Sequence, residues 1–140
     1  MTIQESQDKI IDEFKFIKDN GWIGKYNYLV KLGQSMPPID TGYKTDDKLL
    51  ESCQVKVWFH SSFNGGKVFY DIDSSSAVIK GIIFLLIKVL SGQSPQDIED
   101  ADLYFINKTG LDEICSRDRI NTFHKIVNQM KLDASLYNKI

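Results

Sequence analysis

Gln54-Val55-Lys56-Val57-Trp58-Phe59-His60 alternates in chemistry, with Val55, Val57 and Phe59 on one parity and Gln54, Lys56, Trp58 and His60 on the other. Successive strand side chains point to opposite faces, so this stretch reads as a half-buried strand. A turn is expected over 61–66, where Asn64-Gly65 is a strong hairpin dipeptide. Lys67 to Ile72 then forms the return strand, with Val68, Tyr70 and Ile72 on one face and Phe69 on the other. With Asn64-Gly65 at the tip, Phe59 opposes Tyr70, Val57 opposes Ile72 and Val55 opposes Ser74. The far end of the return strand lies beside Cys53, which shares the valines' parity if the first strand reaches back one residue.

Asp73 through Ser76 offer N-cap oxygens, and Ala77-Val78-Ile79-Lys80-Gly81-Ile82-Ile83-Phe84-Leu85-Leu86 follows. A helix apolar nearly all round needs cover on every side, so this is the central buried helix, ended at Gly92. Upstream, Ile10, Ile11, Phe14 and Ile17 recur at helical spacing, predicting a first helix that ends near Asn20-Gly21. A second helix is expected from Trp22 to Leu32, burying Trp22, Tyr26, Leu29 and Val30, with Gly33 at its C-terminal cap. Met36-Pro37-Pro38-Ile39-Asp40 cannot remain helical and opens an irregular loop toward Asp47. Ser94-Pro95-Gln96-Asp97 restarts a short helix, and a last one runs from Asp118 to Asn138 on a stripe of Ile120, Phe123, Val127 and Met130. The fold class is α+β. A small antiparallel β-sheet (a hairpin plus a possible third strand) packs on a central buried helix, with N-terminal and C-terminal helices, in one domain over residues 1–140.

With 140 residues, 42% hydrophobic and 26% charged, the composition is that of a globular chain with a real core. A net charge of −2 and scattered basic residues argue against nucleic acid or an anionic membrane as partner. The apolar run from Gly81 to Ile87 is too short to span a bilayer. The two cysteines and the polar start Met1-Thr2-Ile3-Gln4-Glu5-Ser6 fit a reducing cytoplasm better than a secreted disulfide scaffold.

Cys53 and Cys115 carry the nucleophilic chemistry available here. The commonest fate of a free cysteine is to be a small buried hydrophobe, and Cys115, in Ile114-Cys115-Ser116-Arg117, reads that way. Cys53 differs in lying between a polar turn and a strand, near a helix N-terminus. Partial positive charge there favours the thiolate, whereas burial opposes ionisation. His60 and His124 with the two cysteines lack metal-site spacing, so no zinc is expected. Seven residues of strand span roughly 20 Å or more, which excludes His60 as a base for Cys53. No phosphate loop, dinucleotide fingerprint or nucleophile elbow is present.

At these residues the chain resembles the SufE family of sulfur-acceptor proteins. Ser52-Cys53-Gln54-Val55-Lys56-Val57-Trp58 matches the family's cysteine segment in length and order. Trp22 with Lys25-Tyr26 and Leu32-Gly33-Gln34 is similar to its second helix. Asp73-Ser74 before Ala77-Val78-Ile79-Lys80-Gly81, then Ser94-Pro95-Gln96-Asp97-Ile98 and Arg119-Ile120-Asn121, follow in the family's order. Two positions depart: the family usually has glycine where this chain has Ser52, and often serine where it has Val55. Losing glycine restricts positive φ just before the cysteine.

The resemblance implies that Cys53 accepts persulfide sulfur from a SufS-like, pyridoxal-phosphate-dependent cysteine desulfurase and stimulates that enzyme. It implies delivery of the sulfur to a SufBCD-like iron–sulfur scaffold complex. The chain would act as a persulfide carrier needing no cofactor of its own. Ser52, Gln54, Asp73, Ser74 and Arg119 are candidates for loop support or partner contact around Cys53, with helix capping and surface charge as their ordinary alternative. A CsdE-like acceptor feeding another pathway is an alternative in the same chemistry, and a non-catalytic desulfurase-binding module is one in a different class. A cysteine hydrolase would need an oriented base and oxyanion donors, which the sequence does not display.

Overall fold

A computed structural model of the protein describes residues 1–17, 22–51 and 53–140. Helix α1 (Ile3–Lys15) starts at a reciprocal capping box: Glu5 N–H donates to Thr2 Oγ1 and Thr2 N–H to Glu5 Oε1, both at 3.0 Å. Its stripe buries Ile10 and Phe14. The helix ends at Lys15, short of the expected Asn20-Gly21, a pair outside the described residues.

Helix α2 (Trp22–Ser35) is longer than its apolar pattern suggests and runs through Gly33. Gly33 is therefore no C-cap. A Cβ there would stand 2.7 Å from the Ala77 carbonyl oxygen, and one at Gly81 would collide with the Leu29 carbonyl oxygen. The two glycines let α2 and the buried α3 (Ala77–Leu90) approach backbone to backbone. Leu29 is fully buried in that contact, but Trp22, expected inside, is 57% exposed. That first turn packs through other residues, with Gly24 buried and Lys25 Nζ donating to the Thr109 carbonyl at 2.7 Å, which leaves the indole outside.

Strands β1 (Val57–Asn64) and β2 (Lys67–Ser74) form a two-stranded antiparallel sheet. The parity holds, with Val57, Phe59, Val68, Tyr70 and Ile72 all buried. The register does not. Gly65 and Gly66 are the turn pair, at φ 59° and 77°, while Asn64 pairs with Lys67 inside the ladder. A two-residue hairpin of this kind needs positive φ at both positions, which Gly-Gly supplies without steric cost. Phe59 therefore opposes Ile72 and Val57 opposes Ser74. Among the described residues no third strand forms; single bridges, Leu49 to Trp58 and Val68 to Gln93, border the hairpin instead.

The remaining chain wraps α3. Ser76 caps it by accepting the Ile79 N–H, and nine of its residues are buried. Helix α4 (Pro95–Asp100) begins as expected, with Ser94 accepting from Asp97 N–H and Pro95 at the first position. Short turns α5 (Phe105–Lys108) and α6 (Leu111–Ile114) lead to α7 (Arg117–Tyr137), which buries Phe123, Ile126, Val127 and Met130. Ile120, placed on that stripe by spacing, is only half-buried. Among the described residues no helix is long and apolar enough to cross a membrane. The architecture is thus α+β, with a hairpin and several helices around one apolar helix.

Candidate functional site

Cys53 is not on the strand. Gln54, Val55 and Lys56 belong to a loop, so the parity argument that aimed the thiol inward does not apply. The loop from Glu51 to Lys56 is instead held at both feet. At the first, Leu50 N–H donates to the Val57 carbonyl at 2.9 Å. At the second, Ser74 Oγ and Ser75 N–H both donate to the Lys56 carbonyl, at 2.7 and 3.1 Å, and Lys56 N–H donates to Ser75 Oγ at 3.2 Å. Between these feet Cys53 is half-buried and packs against the edge of the core.

Both cysteines are free thiols. Burial pushes the Cys53 thiol above its ordinary range, and the Lys125 ammonium on α7 pulls the other way. Desolvation outweighs the Lys125 charge, so the thiol is raised on balance. Cys115, just before α7, is also half-buried; burial raises it, Arg119 opposes and Asp112 adds to the rise.

A groove of about 290 Å³ opens beside the loop, lined by Gln54 and Val55, by Ser76 and Ile79 at the start of α3, and by Ser116, Asp118, Arg119 and Thr122 at the start of α7, so that it carries both an acid and a base. The structure therefore brings Gln54 and Arg119 together at one rim. Arg119 also lies over the Tyr26 ring at 5.7 Å. Asp73 and Ser74 are not at the rim. They lie beneath the loop, 4% and 2% exposed. Asp73 accepts the Ser74 N–H at 2.8 Å and pairs with Lys44 at 3.2 Å and Lys80 at 3.6 Å. It thereby ties α3 to the segment that precedes the cysteine. Ser52 lies outside the described residues.

His60 is occupied elsewhere. Its ring stacks on Tyr43 at 3.8 Å, and Nδ1 is 3.2 Å from Lys48 Nζ. With Lys44 over Trp58 at 4.7 Å, these contacts hold the 41–48 segment, including the 3₁₀ turns Thr41–Tyr43 and Asp46–Lys48, against the outer face of β1. Sequence reasoning missed Lys56, Ser75 and Lys125. The serine run before α3 did signal spare hydroxyls, but the approach of α7 to the Cys53 loop leaves no local trace.

A family model described as "SufE: Fe-S metabolism associated domain" matches residues 8–134. An uncharacterised SufE-like protein of Rhizobium meliloti is 25% identical over 134 residues, covering 92% of this chain and 94% of that protein. Another, from a Synechocystis species, is 29% identical over 133 residues, covering 95% and 82%. The solution structure of a hypothetical protein from Thermus thermophilus superposes with a TM-score of 0.77 at 18% identity, covering 96% of this chain and 97% of that one, a likeness of fold. The cysteine segment, its supporting serines and a family model spanning nearly the whole length agree: this chain belongs to the SufE family, whose domain is associated with iron–sulfur metabolism.

Proposed function

We propose that Cys53 takes persulfide sulfur from a SufS-like cysteine desulfurase, speeds that enzyme by clearing its product, and delivers the sulfur to a SufBCD-like scaffold complex. The observation that carries this reading is a free, half-buried cysteine on a loop anchored at both feet, in a chain of this family. Pyridoxal phosphate belongs to the desulfurase in this scheme.

The transfer is thiol–disulfide exchange on a persulfide. The Cys53 thiolate attacks the outer sulfur of the donor's R–S–SH group. A bond forms between Cys53 Sγ and that sulfur, the donor's S–S bond breaks, and the donor cysteine leaves as a thiolate with the electron pair. The proton stays on the transferred sulfur, so charge balances and no outside oxidant is required. Burial raises the thiol of the resting protein further above neutral pH, so the thiolate needed for attack is disfavoured until the loop opens. Three residues of extended chain reach about 10 Å, so the loop can carry Cys53 outward without releasing either foot. The same half-burial shields the persulfide on return. A reducing cytoplasm, where thiols stay free, suits this chemistry.

Intact mass tests the reading. After incubation with a desulfurase and free cysteine, the protein gains the mass of one sulfur atom on Cys53, and Cys53→Ser does not. Unchanged mass, or normal sulfur relay by Cys53→Ser, overturns it.

A further inference from the structure

We propose that His60 and Lys48 form a proton-sensitive pin on the chain leading into Cys53, so that acid loosens the first foot of the cysteine loop. Its bearing on sulfur transfer rests on the relay reading above; the pin itself does not.

The stretch from Thr41 to Lys48 buries no residue, so contacts across the outer face of β1 hold it in place of a core. Those contacts fall into two groups. Upstream, Lys44 pairs with Asp73 at 3.2 Å and lies over the Trp58 ring at 4.7 Å, and Tyr43 stacks on the His60 ring at 3.8 Å with 9° between the planes. Downstream, Lys48 Nζ stands 3.2 Å from His60 Nδ1. An ammonium group has donors only, so Nδ1 is the acceptor and the neutral ring carries its proton on Nε2.

Protonation separates the two groups. An imidazolium has two donors and no acceptor, so the contact with Lys48 becomes a meeting of like charges with N–H facing N–H, and it is lost. The Tyr43 stack survives, since an aromatic face attracts a cation, and the Lys44–Asp73 pair does not involve the ring. Acid therefore frees the downstream end and leaves the upstream end held. The other charges around the ring are Asp71, opposite on β2, and Asp47 and Asp133, which with Tyr137 line the polar cleft shared by His60 and Lys48. The Thr45 hydroxyl holds Asp47 below the usual carboxylate range, so it stays ionised while histidine titrates. These carboxylates favour the imidazolium and Lys48 opposes it, which makes Lys48 the group that yields.

The backbone carries the effect to Cys53. Leu49, next after Lys48, bridges to Trp58, and Leu50 N–H donates to the Val57 carbonyl at 2.9 Å, the first foot of the loop. Cys53 follows three residues later, packed on the edge of the core. Local opening costs less once a contact of the opening unit is gone, so release of Lys48 raises the exposure of the thiol.

Alkylation of Cys53, read by peptide mass so that Cys115 is scored separately, tests the pin in wild type, His60→Gln and Lys48→Met. Thiolate content changes with pH in all three, so the informative quantity is the ratio of rates at one pH. From about pH 8 to about pH 5.5, the range in which histidine changes charge, the ratio of wild type to His60→Gln rises about fivefold. The ratio of Lys48→Met to His60→Gln stays flat, because no ammonium remains to be displaced. A flat wild-type ratio overturns the pin, and so does an equal rise in Lys48→Met, which would assign the effect to another contact of the ring. Sulfur loading by a desulfurase is scored apart: a rising ratio without loading leaves the pin standing and fells the relay reading, and loading with a flat ratio does the reverse.

Discussion

Ser74 Oγ donates a 2.7 Å hydrogen bond to the Lys56 carbonyl, so the last residue of the hairpin holds the foot of the cysteine loop. The same oxygen accepts the Ser76 N–H at 3.1 Å, linking that foot to the cap of α3. Ser74→Ala removes both bonds, but Ser75 N–H still satisfies the Lys56 carbonyl. The expected cost is about 1–2 kcal/mol in urea unfolding. Cys53 alkylation is expected to be faster in the folded variant than in the wild type; an unchanged labelling rate would show that this foot does not govern the loop.

Asp73 serves the other side of the same support. Asp73→Asn keeps an oxygen for the Ser74 N–H but loses the charge facing Lys44 and Lys80. Both lysines are partly solvated, so the loss is about 2 kcal/mol, between the values for exposed and buried pairs. Added salt narrows the difference from wild type in parallel denaturation curves. Release of Lys44 also loosens the 41–48 segment, seen as faster amide exchange there.

Gly81→Ala tests the contact between the helices. A methyl group meets the backbone of Leu29, which cannot rotate away as a side chain would. The variant loses about 3 kcal/mol or more in chemical unfolding. Its remaining folded fraction is expected to accept sulfur normally, because Gly81 faces Leu29 of α2 and does not line the groove beside the Cys53 loop.

The titration of Cys53 carries a sign that can be checked. Burial holds its folded pKa above the ordinary 9.0, with Lys125 opposing. The folded protein therefore keeps the proton to higher pH than the unfolded chain. The associated stability is whole below the unfolded pKa and is lost as pH rises through the folded one. Lys125→Gln removes the opposing cation and moves the thiolate absorbance transition to higher pH. Docking of the desulfurase moves it lower if the loop leaves its half-buried position.

What the amino-acid sequence determined by itself was local and periodic. The alternation through Val57 and Phe59, the continuous apolar run of α3, and the Ser94-Pro95 start of α4 each rest on near neighbours in the chain. The likeness around Ser52 to Trp58 singled out Cys53, since the residues that carry it are contiguous in the chain. Tertiary structure decided what depended on distant surfaces. Asn64-Gly65 and Gly65-Gly66 can both turn a hairpin, and the pair used sets every partner across the sheet. A glycine near a helix end serves equally as cap or as contact point, and only the approach of α3 made Gly33 the latter. Trp22 stayed in solvent although Gly24 of the same turn is buried and Lys25 reaches the Thr109 carbonyl, and Lys125 acts on Cys53 because α7 comes up against a loop some seventy residues earlier. Burial is a property of what lies opposite, and the chain's local pattern does not record that.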